Sequence, residues 1–164
     1  MHSHLAYLQL GTNMGDRYAA LLQATRLLST ENLIIKKSSP IYETAAWGVI
    51  PQPDFLNQII SVQTSLLPDQ LMNHLLETEK KMGRVRTEKM GPRIIDLDIL
   101  FYDDLILNSN LVTIPHPRIQ ERRFILEPMM ELAPNLFHPI LHQSITELLQ
   151  NCKDQLPVKK WTRT

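Results

Sequence analysis

Two aspartates one residue apart in an apolar run carry the strongest chemical signal in this chain: Gly91-Pro92-Arg93-Ile94-Ile95-Asp96-Leu97-Asp98-Ile99-Leu100-Phe101. Successive side chains of a strand point to opposite faces, so Asp96 and Asp98 share one face while Leu97 and Ile99 take the other. Neighbouring carboxylates repel each other and resist burial. A divalent cation removes both costs, and carboxylate, phosphate and water oxygens are the donors that magnesium prefers. For an arbitrary Asp-x-Asp a solvated sheet edge is the commoner explanation. The apolar neighbours Ile94, Ile95, Ile99 and Leu100 favour ligation here.

The residues just before this run are basic. From Lys80 to Arg93 there are six cationic residues (Lys80, Lys81, Arg84, Arg86, Lys89, Arg93) against one acid, Glu88, out of 17 Lys plus Arg in the whole chain. Paired carboxylates beside clustered guanidinium groups make chemical sense when a polyphosphate lies between them. Lys80 and Lys81 suit a solvated helix C-terminus equally well; Arg84, Arg86 and Arg93 flank the metal candidate. Glu79 falls three residues after Leu76 and four after Leu75, on the apolar face of a helix. An acid there is either an amphipathic boundary residue or has a partner such as an arginine, a hydroxyl or a ribose.

A further cluster, Thr113-Ile114-Pro115-His116-Pro117-Arg118 followed by Arg122, Arg123 and Phe124, suits a phosphate or nucleotide. A lone histidine is nevertheless more often a structural hydrogen-bonder than a catalyst. Phe55 and Asn57 share a strand face, an aromatic plate beside an amide that could read the edge of a flat heterocycle. Core packing is the simpler explanation for Phe55. Gly-x4-Gly-Lys-Ser/Thr, Gly-x-Gly-x-x-Gly and Gly-x-Ser-x-Gly are all absent, so side chains and metal, rather than a glycine-rich cradle, would hold a nucleotide.

The elements that must position these residues follow from periodicity and punctuation. Leu5 to Leu10 reads as a strand, then a loop through Gly15 with Asn13 or Asp16 as cap, then a helix over Arg17 to Leu28. Leu33 to Thr44 reads as a strand with Pro40 at an edge or bend, Ala45 to Pro53 as a loop, and Phe55 to Thr64 as a strand. Pro68 to Met82 has helical spacing and Gly83 is its stop. Arg93 to Tyr102 is the metal-bearing strand, Asp103-Asp104 a turn, and Leu111 to Ile114 a short strand. The remainder reads as helix interrupted by Pro128, Pro134 and Pro139, with a capping box at Ser144 to Glu147 and a short tail from Lys159. The order strand, helix, strand, strand, helix, strand predicts an α+β, ferredoxin-like βαββαβ sandwich with additional C-terminal helices.

At 164 residues, 43% hydrophobic and 21% charged, the chain fits one globular domain over 1–164. A net charge of zero argues against a general nucleic-acid binder. An RNA-binding sheet and a magnesium-dependent nucleotidyl transferase are the competing functional readings. The single Cys152 excludes an internal disulfide. No apolar run reaches the roughly 20 residues of a membrane span and no secretory signal is visible, so the expectation is a cytoplasmic monomer without membrane or nucleic-acid partners.

Taken in order, Gly11-Thr12-Asn13-Met14-Gly15-Asp16, Tyr42-Glu43-Thr44, Asp54-Phe55-Leu56-Asn57, Gly83-Arg84-Val85-Arg86, the Gly91 to Ile99 run and Ile114-Pro115-His116-Pro117 resemble the 6-hydroxymethyl-7,8-dihydropterin pyrophosphokinases of folate biosynthesis. The resemblance covers about Leu5 to Leu149. It implies transfer of pyrophosphate from ATP to the pterin hydroxymethyl oxygen with release of AMP, two Mg2+ ions held by Asp96 and Asp98, and phosphate clamping by Arg84 and Arg93. It also implies a pterin sandwiched by Phe55 and Phe124 and read by Asn57 and Thr44. Glu79, Arg86, Ile99, Thr113, His116 and Arg122 would lie on the nucleotide side. Met90 stands where relatives often carry tryptophan, and Ala45 replaces a common proline. The glycine-bounded basic loop, Gly83 to Gly91, is expected to order when nucleotide and pterin bind.

Overall fold

A computed structural model describes residues 3–46, 50–85 and 91–163. The fold is a mixed α/β sandwich built on an antiparallel sheet. Strand β1 (His4–Thr12) lies between β4 (Phe55–Thr64) and β5 (Asp96–Tyr102), and both β2 (Leu33–Ser38) and β3 (Tyr42–Thr44) pair with β4. All these neighbours are antiparallel.

Both faces of the sheet are covered, which is why most of β1 and the second half of β5, from Ile99, read as nearly continuous apolar runs. On one face Leu8, Leu10, Leu97 and Ile99 pack against Leu21 and Leu28 of α1 (Arg17–Leu28) and Leu71 and Leu75 of α2 (Pro68–Lys81). On the other, Tyr7, Ile59 and Phe101 meet Ile125, Leu126 and Met129 of α3 (Arg123–Leu132) and Ile145 and Leu148 of α4 (Ile145–Gln150).

Local chemistry sets the boundaries. Asp16 is the cap of α1, its Oδ1 accepting from the Ala19 amide at 3.0 Å. Gly83, at φ +87°, ends α2 in a conformation that side-chain-bearing residues rarely adopt. The Ser144–Glu147 capping box starts α4. The strand expected over Leu33 to Thr44 is two strands, because Pro40 has no amide to continue the ladder. Ser39 bridges the break: its amide donates to the Ile59 carbonyl at 2.8 Å and its Oγ accepts from the Ile59 amide at 3.0 Å.

Four expectations are corrected. β5 begins at Asp96 rather than Arg93, since the Arg93 backbone bonds Asn13 instead: the Arg93 amide donates to Asn13 Oδ1 at 2.9 Å and the Asn13 amide to the Arg93 carbonyl at 3.2 Å. The strand expected over Leu111 to Ile114 is only β7 (Thr113–Ile114), paired with an unforeseen β6 (Leu107–Asn108). Pro128 lies inside α3 without interrupting it. The C-terminal tail is not free: β8 (Val158–Lys160) pairs with β3, and the Trp161 amide donates to the Ile41 carbonyl at 2.8 Å. Among the described residues, no helix is long and apolar enough to cross a membrane.

Candidate active site

The site is built on the α3 side of the sheet around Gly11. Strand register places Asn57 on one side of this glycine and Asp96 on the other. A Cβ at Gly11 would sit 3.1 Å from Asn57 Oδ1 and 3.8 Å from the Phe55 ring, so the missing side chain keeps the floor open. Above that floor is a cleft open to solvent. Phe55 from β4, Phe124 from the first turn of α3, and Thr44 and Asn57 line it, and it opens onto Asp96, Arg93 and Arg122. Asn57 is buried and its Nδ2 donates to Thr44 Oγ1 at 2.8 Å, which fixes the amide's orientation and leaves Oδ1 over Gly11. The two guanidinium groups lie over the two aromatic plates, Arg93 at 5.5 Å from the Phe55 centroid and Arg122 at 5.7 Å from that of Phe124. The aromatic and cationic functions are therefore contiguous.

The carboxylates are held differently from each other. Asp96 bridges two arginines, with Arg84 Nη1 at 3.0 Å from Oδ1 and Arg93 Nη1 at 3.1 Å from Oδ2. Arg84 also reaches Glu79 Oε2 at 2.7 Å, and that oxygen accepts from the Leu97 amide at 2.8 Å. Glu79 is 3% exposed; among its partners is Arg84, just past the end of its own helix, an arginine being one of the three kinds of partner expected from the sequence. Among the described residues, His116 is the histidine or cation within 4 Å of Asp98, its Nε2 3.9 Å from Oδ2. Crowding by protein, then the charges of Asp96 and Glu79, push its carboxyl up to about 7 against the opposing pull of Arg122 and Arg84.

His116 is shifted the other way, down to about 4, by burial first and by Arg122 and Arg118, with Asp96 opposing. It is thus neutral at physiological pH. Its Nδ1 accepts from the Arg118 amide at 3.1 Å, so the ring proton sits on Nε2, toward Asp98. Burial likewise lowers Arg122 from its ordinary value, Asp98 opposing, yet a guanidinium stays charged at any physiological pH.

Of the residues singled out in the sequence, Thr44, Phe55, Asn57, Arg93, Asp96, Arg122 and Phe124 line one cleft. Arg84, Asp98, Glu79 and His116 join it through the contacts above. Ile99 does not line it: its side chain is 2% exposed in the core of the opposite face. Thr113 bonds Asn108 Oδ1 at 3.2 Å on the small hairpin. Arg86 and Met90, and most of the loop expected to order with ligand, lie outside the described residues. Gln9 and Gly11 were missed as lining residues; the strand alternation that pairs Asp96 with Asp98 was the signal that could have found them.

Among the described residues no cluster of three or more His, Cys, Asp or Glu side chains is grouped for a metal ion. Asp96 and Asp98 offer two hard oxygen donors, and a cation there would need its remaining oxygens from substrate and water. That donor set fits magnesium carried on a polyphosphate.

The family profile described as 7,8-dihydro-6-hydroxymethylpterin-pyrophosphokinase (HPPK) matches residues 7–134. The chain belongs to the HPPK family. HPPK-family proteins are pyrophosphate-transferring enzymes, and the chain is one of them. A 2-amino-4-hydroxy-6-hydroxymethyldihydropteridine pyrophosphokinase of Aquifex aeolicus is 43% identical over 141 residues, 86% of this chain and 88% of the relative. Its counterpart in Synechocystis is 38% identical over 158 residues, 94% and 80% of the two chains. The folic acid synthesis protein fol1 of Schizosaccharomyces pombe is 40% identical over 93% of this chain, which spans only 20% of that relative. Among solved structures, a Plasmodium falciparum HPPK-DHPS superposes with TM-score 0.72 at 16% identity, over 91% of this chain and 43% of that one. At that identity the likeness is one of fold.

Proposed function

We propose that this HPPK-family chain transfers the pyrophosphoryl group of ATP to the hydroxymethyl oxygen of 6-hydroxymethyl-7,8-dihydropterin, releasing AMP, with magnesium. The observation that carries the reading is the continuity of one cleft: an aromatic and amide slot for a flat heterocycle opens directly onto a carboxylate flanked by arginines.

Phe55 and Phe124 stack on the two faces of the pterin, and Asn57 Oδ1, held by Thr44, reads its edge. The ring's substituent then points along the floor toward Asp96 and Asp98. Magnesium bound by these two carboxylates, two ions on the family's pattern, supplies charge neutralisation and templating of the phosphates. Arg84 and Arg93 exchange part of their contact with Asp96 for phosphate oxygens, while Arg122 and the neutral His116, donating from Nε2, face the nucleotide. The hydroxymethyl oxygen attacks the β-phosphorus in line. The bond from that phosphorus to the α–β bridging oxygen breaks, AMP leaves, and the hydroxyl proton passes to water. Such transfer needs positioning and charge compensation more than covalent help from the protein. The strand order β5-β1-β4-β2, with α1 and α2 on one face, supports the ferredoxin-like reading of the fold.

Calorimetric titration of the dihydropterin into protein saturated with magnesium and α,β-methylene-ATP tests the assignment of the slot. Saturable binding is expected, weakened at least tenfold in Phe55→Ala, which deletes one plate. Folded wild-type protein that binds the nucleotide but no pterin would remove the reading.

A further inference from the structure

Gln9 is a polar residue inside the buried central strand β1. It is 7% exposed, lines the cleft, and its Oε1 is buried with no hydrogen-bond partner among the described residues. Leaving a carboxamide oxygen in that state is costly, since water is lost and nothing replaces it. Register puts Gln9 opposite Asp98 on β5 and Ile59 on β4, one step along the same face from Gly11. Its side chain therefore belongs to the cleft floor and not to either apolar core.

We propose that Gln9 is a further substrate-positioning residue, whose carboxamide hydrogen-bonds the nitrogen-bearing edge of the heterocycle that lies over Gly11 between Phe55 and Phe124. The inference rests on the pterin reading of the cleft. A carboxamide carries one acceptor and a two-proton donor, which matches a ring edge where an N–H stands beside a ring nitrogen. The orphaned oxygen has no solvent contact in the ligand-free fold; rotation of the carboxamide turns it to the arriving ring, which satisfies it. Asn57 and Gln9 divide the work: Asn57 is locked by Thr44 and reads one edge from β4, and Gln9 contacts the ring from below on β1.

The test is Gln9→Met, which keeps the length of the side chain and removes its donor and acceptor. Dihydropterin affinity and KM are expected to worsen roughly five- to tenfold, with kcat and the Kd of magnesium α,β-methylene-ATP unchanged. That split marks an interaction made equally in ground and transition states. The Tm of the free protein should hold or rise, because the amide loses no partner in the ligand-free chain. Unchanged pterin affinity in the variant, or a loss that falls on the nucleotide instead, overturns the proposal for Gln9 while leaving the pterin slot standing. Wild-type protein that binds no pterin overturns both.

Discussion

At the scale of single residues, the two aspartates of one strand are in different electrostatic states. Asp96 shares two arginines, whereas Asp98 is held protonated up to about 7 by its surroundings. In the ligand-free fold Asp98 thus keeps a proton that the unfolded chain releases near pH 4. Between those limits the native state binds more protons, so its stability falls as pH rises through the window. Asp98→Asn is expected to abolish turnover yet raise the Tm of the free protein at pH 8 by a few degrees, the gain vanishing at pH 4. Thermal melts at the two pH values check this, and a lower Tm at pH 8 would contradict it. Gly11→Val closes the floor against Asn57 Oδ1 and Phe55; pterin KM should rise more than tenfold with nucleotide affinity kept, measured by steady-state kinetics and nucleotide titration. That Asp96 shares a face with Asp98, and Phe55 with Asn57, was legible because alternation fixes which side chains share a face, although alternation alone left Phe55 to the core. For Gln9, alternation gives the face it shares with Gly11, but one polar residue in a strand looks the same whether it meets solvent or a ligand.

At the scale of elements, Glu79 is the clamp that joins the end of α2 to the start of β5 through Arg84 and the Leu97 amide. Glu79→Ala removes the Leu97 amide's acceptor and one of the two carboxylates that Arg84 bridges, in a buried setting. A cost of about 2–4 kcal/mol is expected in urea unfolding, together with weaker nucleotide binding; a loss below about 0.5 kcal/mol would show that the clamp is dispensable. The cap of α1, left between Asn13 and Asp16, is Asp16, while its span, about Arg17 to Leu28, was readable from its apolar spacing. The start of β5 was not, because Asn13, 80 positions earlier, captures the Arg93 backbone. β8 was equally hidden: Val158–Lys160 is a strand only because β3 offers it an edge, with Lys160 Nζ 3.0 Å from Glu131 Oε1. Removing residues 158–164 should speed amide exchange across Tyr42–Thr44 and, through Thr44 and Asn57, weaken pterin binding severalfold. Exchange unchanged in that stretch would separate the C-terminal strand from the site.

At the scale of the whole molecule, the sheet carries two apolar cores and the site lies where one of them gives way to polar groups. On the α3 face, Tyr7, Ile59 and Phe101 are core, while Gly11, Asn57 and Asp96 on the same strands line the cleft. One scaffold therefore supplies both rigidity and an open floor, and the groups lining the cleft come from β1, β3, β4, β5, α3 and the segments around Arg93 and Arg122. The central claim is the reaction this arrangement performs. The most direct measurement is phosphorus NMR of the products formed from ATP, magnesium and 6-hydroxymethyl-7,8-dihydropterin. The account predicts AMP and a pterin diphosphate in equal amounts, dependent on pterin and abolished by EDTA. Free pyrophosphate with a nucleotidylated acceptor, or no pterin-dependent AMP from folded, nucleotide-binding protein, would contradict it.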